Sequence, residues 1–453
     1  MKNKIYILLF VGLMAWSCED RLEIEPDQSI SLEAALSSEA NIKGILVGAY
    51  DEANQGASYG GQLYVISDLI GNDNQVSWNG TFAQPREFFV QGVLVDNLWV
   101  DNAWANGYEV INQANLVIDN IASITSSTAE AERVEGEAKF LRALTYFDLV
   151  RHFGPTYVAG ATNSQLGVPL RITGITDYSV DLSMSRSTVE EVYSQVVSDL
   201  ISAMGLLPAD NDYFADAAAA EALLARVYLQ MGNYSGARDA AHSVITTSGH
   251  TMAATFAGAF NNDADDVEDI FAFQVTSQTG TNSLVTFYAH EALGGRGGDI
   301  SVTTDYIALF DAPTLDERAL FTYVSDQSGD DLTSKYTNQF GNVPVIRLAE
   351  MHLIRAECNL REVTTIGEAP LADINNNIRA RLSAPALGSV DLDAILNERQ
   401  LELAFEGHLI HDMKRTGRSV GIIAFDADEL VLPIPQSEMD TNPLMDGQQN
   451  DGY

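Results

Sequence analysis

Ala222-Leu223-Leu224-Ala225-Arg226-Val227-Tyr228-Leu229-Gln230-Met231-Gly232-Asn233-Tyr234-Ser235-Gly236-Ala237 joins two amphipathic runs, Ala215 to Met231 and Tyr234 to Thr246. Only Gly232-Asn233 parts them. Apolar residues at helical spacing on both sides of a Gly-Asn break describe two helices folded back on each other. Small residues let the antiparallel helices approach, and the tyrosines fill the gap between them.

Leu224, Ala225, Tyr228, Gly232, Tyr234 and Ala237 fall at the spacing of a tetratricopeptide repeat. Fainter echoes occur at Ala143 with Tyr146 and at Ala349 with Ala356. Such units are stable only when several stack. The chain is therefore expected to be mainly α, with roughly four helical pairs built from non-contiguous segments. Working outward, a helix is expected from Ser31, as cap, to Tyr50, and others over Asp96 to Ile121 and Ala129 to Phe153, the last stopped by Gly154-Pro155. A capping box, Ser187-Thr188-Val189-Glu190, opens a further helix that ends at Leu207-Pro208. Arg347 to Leu360 is helical in pattern, and Glu398 to His408 alternates charged and apolar residues as a salt-bridged helix does. Two regions break the rhythm. Residues 51–95 are rich in Gly, Asn and Gln, with Tyr59, Tyr64, Trp78 and Phe82 among them, and 248–345 holds short apolar runs between Gly-, Ser- and Asp-rich turns. Both read as loops with a few short strands, laid on a rigid helical scaffold where binding usually sits.

The 453 residues are 46% apolar, enough to bury a large core and to exclude disorder for the bulk of the chain. Twenty-five Lys and Arg against 63 Asp and Glu give a net charge of −38, a field that repels phosphate backbones and argues against a nucleic-acid partner. Residues 1–17 read as a signal segment: Lys2 and Lys4, then an apolar run from Ile5 to Trp16 that is too short to span a bilayer. With Cys18, Glu19 and Asp20 next, it resembles a bacterial lipoprotein signal whose cysteine carries the lipid. Ala15 and Trp16 depart from the usual box, and a plain secretory cut nearby is the alternative. Cys358, the other cysteine, is expected in the core of its helix.

No catalytic pattern emerges. Of seven histidines only His408 and His411 lie close together, in a helix-like run that reads as packing rather than as a metal site. No nucleophile elbow, phosphate-binding glycine loop or zinc-protease motif occurs, and Asp263-Ala264-Asp265-Asp266 lacks the fixed glycine and glutamate of a calcium loop. No cofactor is expected.

Several blocks together resemble the SusD/RagB family of outer-membrane nutrient-binding lipoproteins. Residues 137–154, Glu-Ala-Lys-Phe-Leu-Arg-Ala-Leu-Thr-Tyr-Phe-Asp-Leu-Val-Arg-His-Phe-Gly, are the most specific. Trp104, Tyr108, Ile111 and Ala114-Asn115 match the helix before them. Gly167-Val168-Pro169-Leu170, Arg347 to Glu357, Ile378 to Arg381, Asn397 to Asp412, Arg415-Thr416-Gly417, Leu432 to Pro435 and Gln449 to Tyr453 follow in the family's order, with Asp451 where proline is usual. The resemblance implies a signal segment 1–17 and a single body 18–453, with an N-terminal part 18–230 and a C-terminal part 231–453. It further implies a loop-rich, ligand-binding half, a lipid anchor at Cys18 on the outer membrane at the cell surface, and a SusC-type TonB-dependent transporter as partner.

For an acidic binder a neutral glycan is easier to hold than a polyanion. Sugars stack on aromatic rings while amides and charged groups take their hydroxyls. Trp78 beside Asn79, and Trp99 with Asn102 one turn on, are the expected ring-and-amide pairs; Trp104 is expected in the core. Arg86, Tyr288, Arg296 and Tyr306 complete the expected ligand-binding set. The expected function is non-catalytic capture of oligosaccharide and its delivery to the transporter. Oligopeptide capture on the same fold, a lipid-anchored scaffold for a protein partner, and a glycoside hydrolase are the rival readings.

Overall fold

The computed structural model describes residues 32–277 and 280–453, so the signal segment and Cys18 lie outside the described residues. Eight helices form the scaffold: α1 Glu39–Ala53, α2 Leu98–Asp119, α3 Thr128–Phe153, α4 Val189–Leu206, α5 Ala217–Gln230, α6 Tyr234–Thr247, α7 Leu348–Glu362 and α8 Leu392–Glu402. Each packs on the next. The pairs α1/α2, α3/α4, α5/α6 and α7/α8 are joined by the contacts α2 on α3, α4 on α5 and α6 on α7. These are the four pairs from non-contiguous segments that the repeat spacing predicts. In the α5/α6 hairpin Gly232 takes φ +72°, and a Cβ on Gly236 would stand 2.9 Å from the Tyr228 ring. The hairpin closes because both positions lack a side chain.

Local chemistry sets the helix starts. Asn97, Ser127, Asp216 and Asn233 each accept a backbone N–H in the first turn of α2, α3, α5 and α6. The capping box sits one residue later than expected, on Thr188 and Glu191. Ser187 is held in extended pairing, its N–H donating to Val168 and its carbonyl accepting from Gly167. The expected Ser31–Tyr50 helix is interrupted at Ser37-Ser38, where Ser38 restarts it as the cap of α1. Residues 51–95 are more regular than expected, containing helices Gln62–Ile70 and Ala83–Phe89. Gln62–Ile70 shows no polar face because seven of its nine residues are buried.

Three two-stranded antiparallel ladders serve the irregular half: β1 Val76–Trp78 with β3 Ile300–Val302, β2 Asp269–Phe273 with β6 Val343–Arg347, and β4 Thr322–Val324 with β5 Asp331–Thr333. The first ladder brings the two irregular regions together. Buried ion pairs tie the last two helical pairs: Arg226 on α5 reaches Glu350 on α7 at 2.6 Å, and Arg399 on α8 reaches the same carboxylate at 3.0 Å. Cys358 is buried on α7, as its helical position predicts.

Candidate ligand-binding ledge

The β1–β3 register sets Trp78 opposite Ile300 and brings the next residue of the first irregular region against the second. The Asn79 backbone N–H donates to the Asp299 carbonyl at 2.7 Å, and its Nδ2 donates to Ser301 Oγ at 2.9 Å. Arg296 Nε donates to Asp299 Oδ2 at 3.1 Å. The same guanidinium lies 3.8 Å from the centroid of Phe82, a ring that is 39% exposed. Phe82 precedes the helix Ala83–Phe89, whose exposed Arg86 follows one turn later. Trp78 is half-buried and backed by Phe287 at 6.5 Å, with its Nε1 unpaired.

Burial raises the Asp299 carboxyl pKa above its ordinary value, while the hydrogen bond from Arg296 pulls it down. The result is a partly exposed ledge in which the Phe82 ring, Trp78, the Asn79 amide, the Asp299 carboxylate and the Arg296 guanidinium lie together, with exposed Arg86 one turn along the helix. Such a surface stacks a flat C–H face and takes hydroxyls at its edge.

The other expected residues do not join it. Trp99 is 7% exposed, packed edge-on to Phe287 at 5.0 Å and against Phe88 at 6.2 Å. It supports the ledge from below, while Asn102 faces solvent on α2. The expected ring-and-amide pair therefore points in opposite directions. Tyr288 is fully buried, its hydroxyl donating to Asp68 Oδ2 at 2.7 Å, and Tyr306 is 2% exposed between Phe310 and Phe405. Both are core residues and present no ring to a ligand. Trp104 is also core, donating through Nε1 to Glu438. Phe82 and Asp299 are the members sequence reasoning did not select. Phe82 stood out among the aromatics of 51–95, but Asp299 gave no signal beyond following the Gly294–Gly298 turn.

Elsewhere the chemistry is structural. His411 is buried and His408 largely so, and desolvation keeps both imidazoles neutral. Ser67 Oγ and His152 Nε2 approach to 2.8 Å, yet both are inside the core and burial lowers the His152 pKa to about 4. Among the described residues no group of three or more His, Cys, Asp and Glu side chains is arranged to hold a metal ion.

A stack of helical pairs carrying an irregular half of this kind defines a mainly-α, tetratricopeptide-like scaffold protein. A family model described as starch-binding proteins associating with the outer membrane matches residues 20–229, and one described as the SusD family matches residues 318–426. The chain belongs to the SusD/RagB family. A SusD-like protein of Formosa agariphila is 24% identical over 100% of this chain and 99% of its own length. The crystal structure of a SusD superfamily protein from Bacteroides thetaiotaomicron superposes with a TM-score of 0.81 at 28% identity, covering 91% of this chain and 99% of that one. A SusD-like carbohydrate binding protein from Bacteroides vulgatus shares the fold, with a TM-score of 0.77 at 20% identity over 90% of this chain and 97% of its own.

Proposed function

We propose that the protein is a non-catalytic binding protein that captures oligosaccharide on the Trp78 ledge. It is tethered to the outer membrane at the cell surface by a lipid on Cys18 and passes its ligand to a SusC-type TonB-dependent transporter. The observation that carries this reading is the meeting of Trp78, Asn79, Phe82 and Arg296 across the β1–β3 ladder. The outer-membrane, starch-binding description of the matching family supports it. Binding requires no perturbed acid or base, and none borders the ledge except Asp299, which Arg296 holds.

Calorimetric titration with neutral and acidic polysaccharides and a peptide mixture tests the reading. Saturable glycan binding is expected, with Trp78→Ala and Phe82→Ala each weakening it by about tenfold, equivalent to ~1.4 kcal/mol. Binding of peptides alone would move the protein to the peptide-capturing reading. Silence across the panel would remove glycan capture and leave the scaffold role.

A further inference from the structure

Between α6, α7 and residues 366–381 runs a groove of about 700 Å³ that shares no lining residue with the ledge. His242, His250, His352, Arg355 and Arg381 line it, and Glu368 is the one acid among the lining residues. In a chain with 63 Asp and Glu against 25 Lys and Arg, a lining of two arginines and three histidines is unusual, although Asp373 pairs with Arg355 and Glu268 and Glu402 pair with Arg381 behind it.

The side chains are held in place. Arg355 makes a forked pair with Asp373, through Nε at 2.7 Å and Nη2 at 2.8 Å. Its Nη1 donates to His242 Nδ1 at 3.1 Å. A guanidinium has only donors, so His242 Nδ1 accepts and the ring proton lies on Nε2. His352 Nδ1 lies 2.8 Å from Asp373 Oδ1, a carboxylate that only accepts, so Nδ1 donates there and Nε2 is the ring atom left for other partners. Arg381 spends both Nη atoms on Glu268 and Glu402, with its side chain 95% buried. Its Nε remains a buried donor without a partner, an arrangement that costs free energy. The π-helical turn Ile374–Ile378 carries Asn376 and Asn377 to the groove, and such turns recur at functional sites. Asn376 Nδ2 donates to Glu368 at 3.4 Å, and Asn377 Nδ2 donates to Asp373 Oδ1 at 3.1 Å and lies 3.5 Å from Glu368, which leaves the amide oxygens as acceptors.

We infer that this groove binds a small polyhydroxylated carboxylate, a sugar acid. The carboxylate meets the unspent Nε2–H of His242 beside the Arg381 side chain, and the hydroxyls meet His352 Nε2 and the amide oxygens of the two asparagines. The site stands independently of the ledge and of the glycan reading built on it.

The test is titration of the full chain with a methyl hexuronoside and with the matching neutral methyl hexoside, followed by calorimetry and by the imidazole NMR resonances. The expected result is saturable shifts at His242 and His352 with the hexuronoside, and binding of the hexoside weaker by about tenfold or more, as for loss of a charge-assisted hydrogen bond. Glu368→Gln removes the groove's own carboxylate and is expected to tighten hexuronoside binding by about threefold or more, a gain that damage to the fold does not produce. His242→Gln is expected to weaken it about tenfold, and Trp78→Ala to leave it unchanged. Equal response to both sugars, tighter binding of a tripeptide carrying a free C-terminal carboxylate, or absence of saturable shifts at these histidines would each overturn the inference.

Discussion

Val363 closes α7 in the left-handed region, at φ 54° and ψ 46°, with 91% of its surface exposed. A branched Cβ crowds the following carbonyl there, and the side chain gains no burial in return. Glycine removes the clash but loosens the unfolded chain, so Val363→Gly is expected to stabilise by a net ~0.5–1 kcal/mol. An upward shift of the urea midpoint with unchanged slope checks this; a downward shift would mean that the Val363 methyls pack in solution. At this same scale the sequence is least informative. Trp99 and Asn102 are one turn apart, but which of them faces inward depends on Phe287, far along the chain. Trp78 and Asn79 were legible as a pair because they adjoin in a polar loop, whereas Asp299 reaches them only through a strand register that no local pattern specifies.

At the scale of elements, what local spacing controls was readable and what remote side chains control was not. The α5/α6 hairpin and the stop of α3 at Gly154 follow from neighbours in sequence. The end of α8 does not. The charged pattern of Glu398 to His408 predicts one continuous helix, yet α8 stops at Glu402, and Phe405 and Gly407 take positive φ. Lys335 makes that end. Its Nζ donates to the carbonyls of Glu402 and Ala404 at 3.0 and 2.8 Å and to Glu406 Oε1 at 2.6 Å, while the Tyr336 hydroxyl donates to the Phe405 carbonyl at 2.6 Å. Burial pulls the Lys335 pKa down and Glu406 pulls it back up. Lys335→Met leaves the buried Ala404 carbonyl without a donor, the Glu402 carbonyl with Arg347 Nη2 alone at 3.3 Å, and Glu406 with Arg347 as its remaining partner. The expected loss is about 3–5 kcal/mol in chemical denaturation, the range for breaking one side of a buried ion pair. A loss below about 1 kcal/mol, the worth of an exposed pair, would show that the capped end is wet.

Across the whole molecule, opposed titrations shape stability. Burial raises Asp68 and Asp269 to about 7, above the ~3.9 of an unfolded aspartate. The folded state thus holds protons that the unfolded state releases, and the stability from these two groups grows as pH falls from 7 towards 4. Burial also lowers His152 to about 4 and His408 to about 3 and holds His411 well below its ordinary value, against ~6.5 unfolded. Their contribution is complete above pH 6.5 and is lost as pH falls. Burial raises Glu137 and Asp299 as well, so the rising carboxyls oppose the three histidines, each fully displaced group contributing about 1.4 kcal/mol per pH unit, and the net slope between pH 6.5 and 4.5 is shallow. Below 4.5 the ion-paired carboxylates add to the loss. Burial favours the neutral form of Glu406, but Arg347 and Lys335 outweigh it and bring its pKa to about 2, so its stabilisation disappears as pH falls through that value. Asp68 and His408 border one small internal cavity, which makes Asp68 the group to remove. Asp68→Asn deletes one rising contribution, and its stability is expected to fall with pH more steeply than the parent's by about 1.4 kcal/mol per unit. Urea denaturation at half-unit steps from pH 7 to 4 measures both slopes. Parallel curves for the two proteins would mean that Asp68 carries no proton at neutral pH, and the compensation would then have to come from Asp269 and the other raised carboxyls.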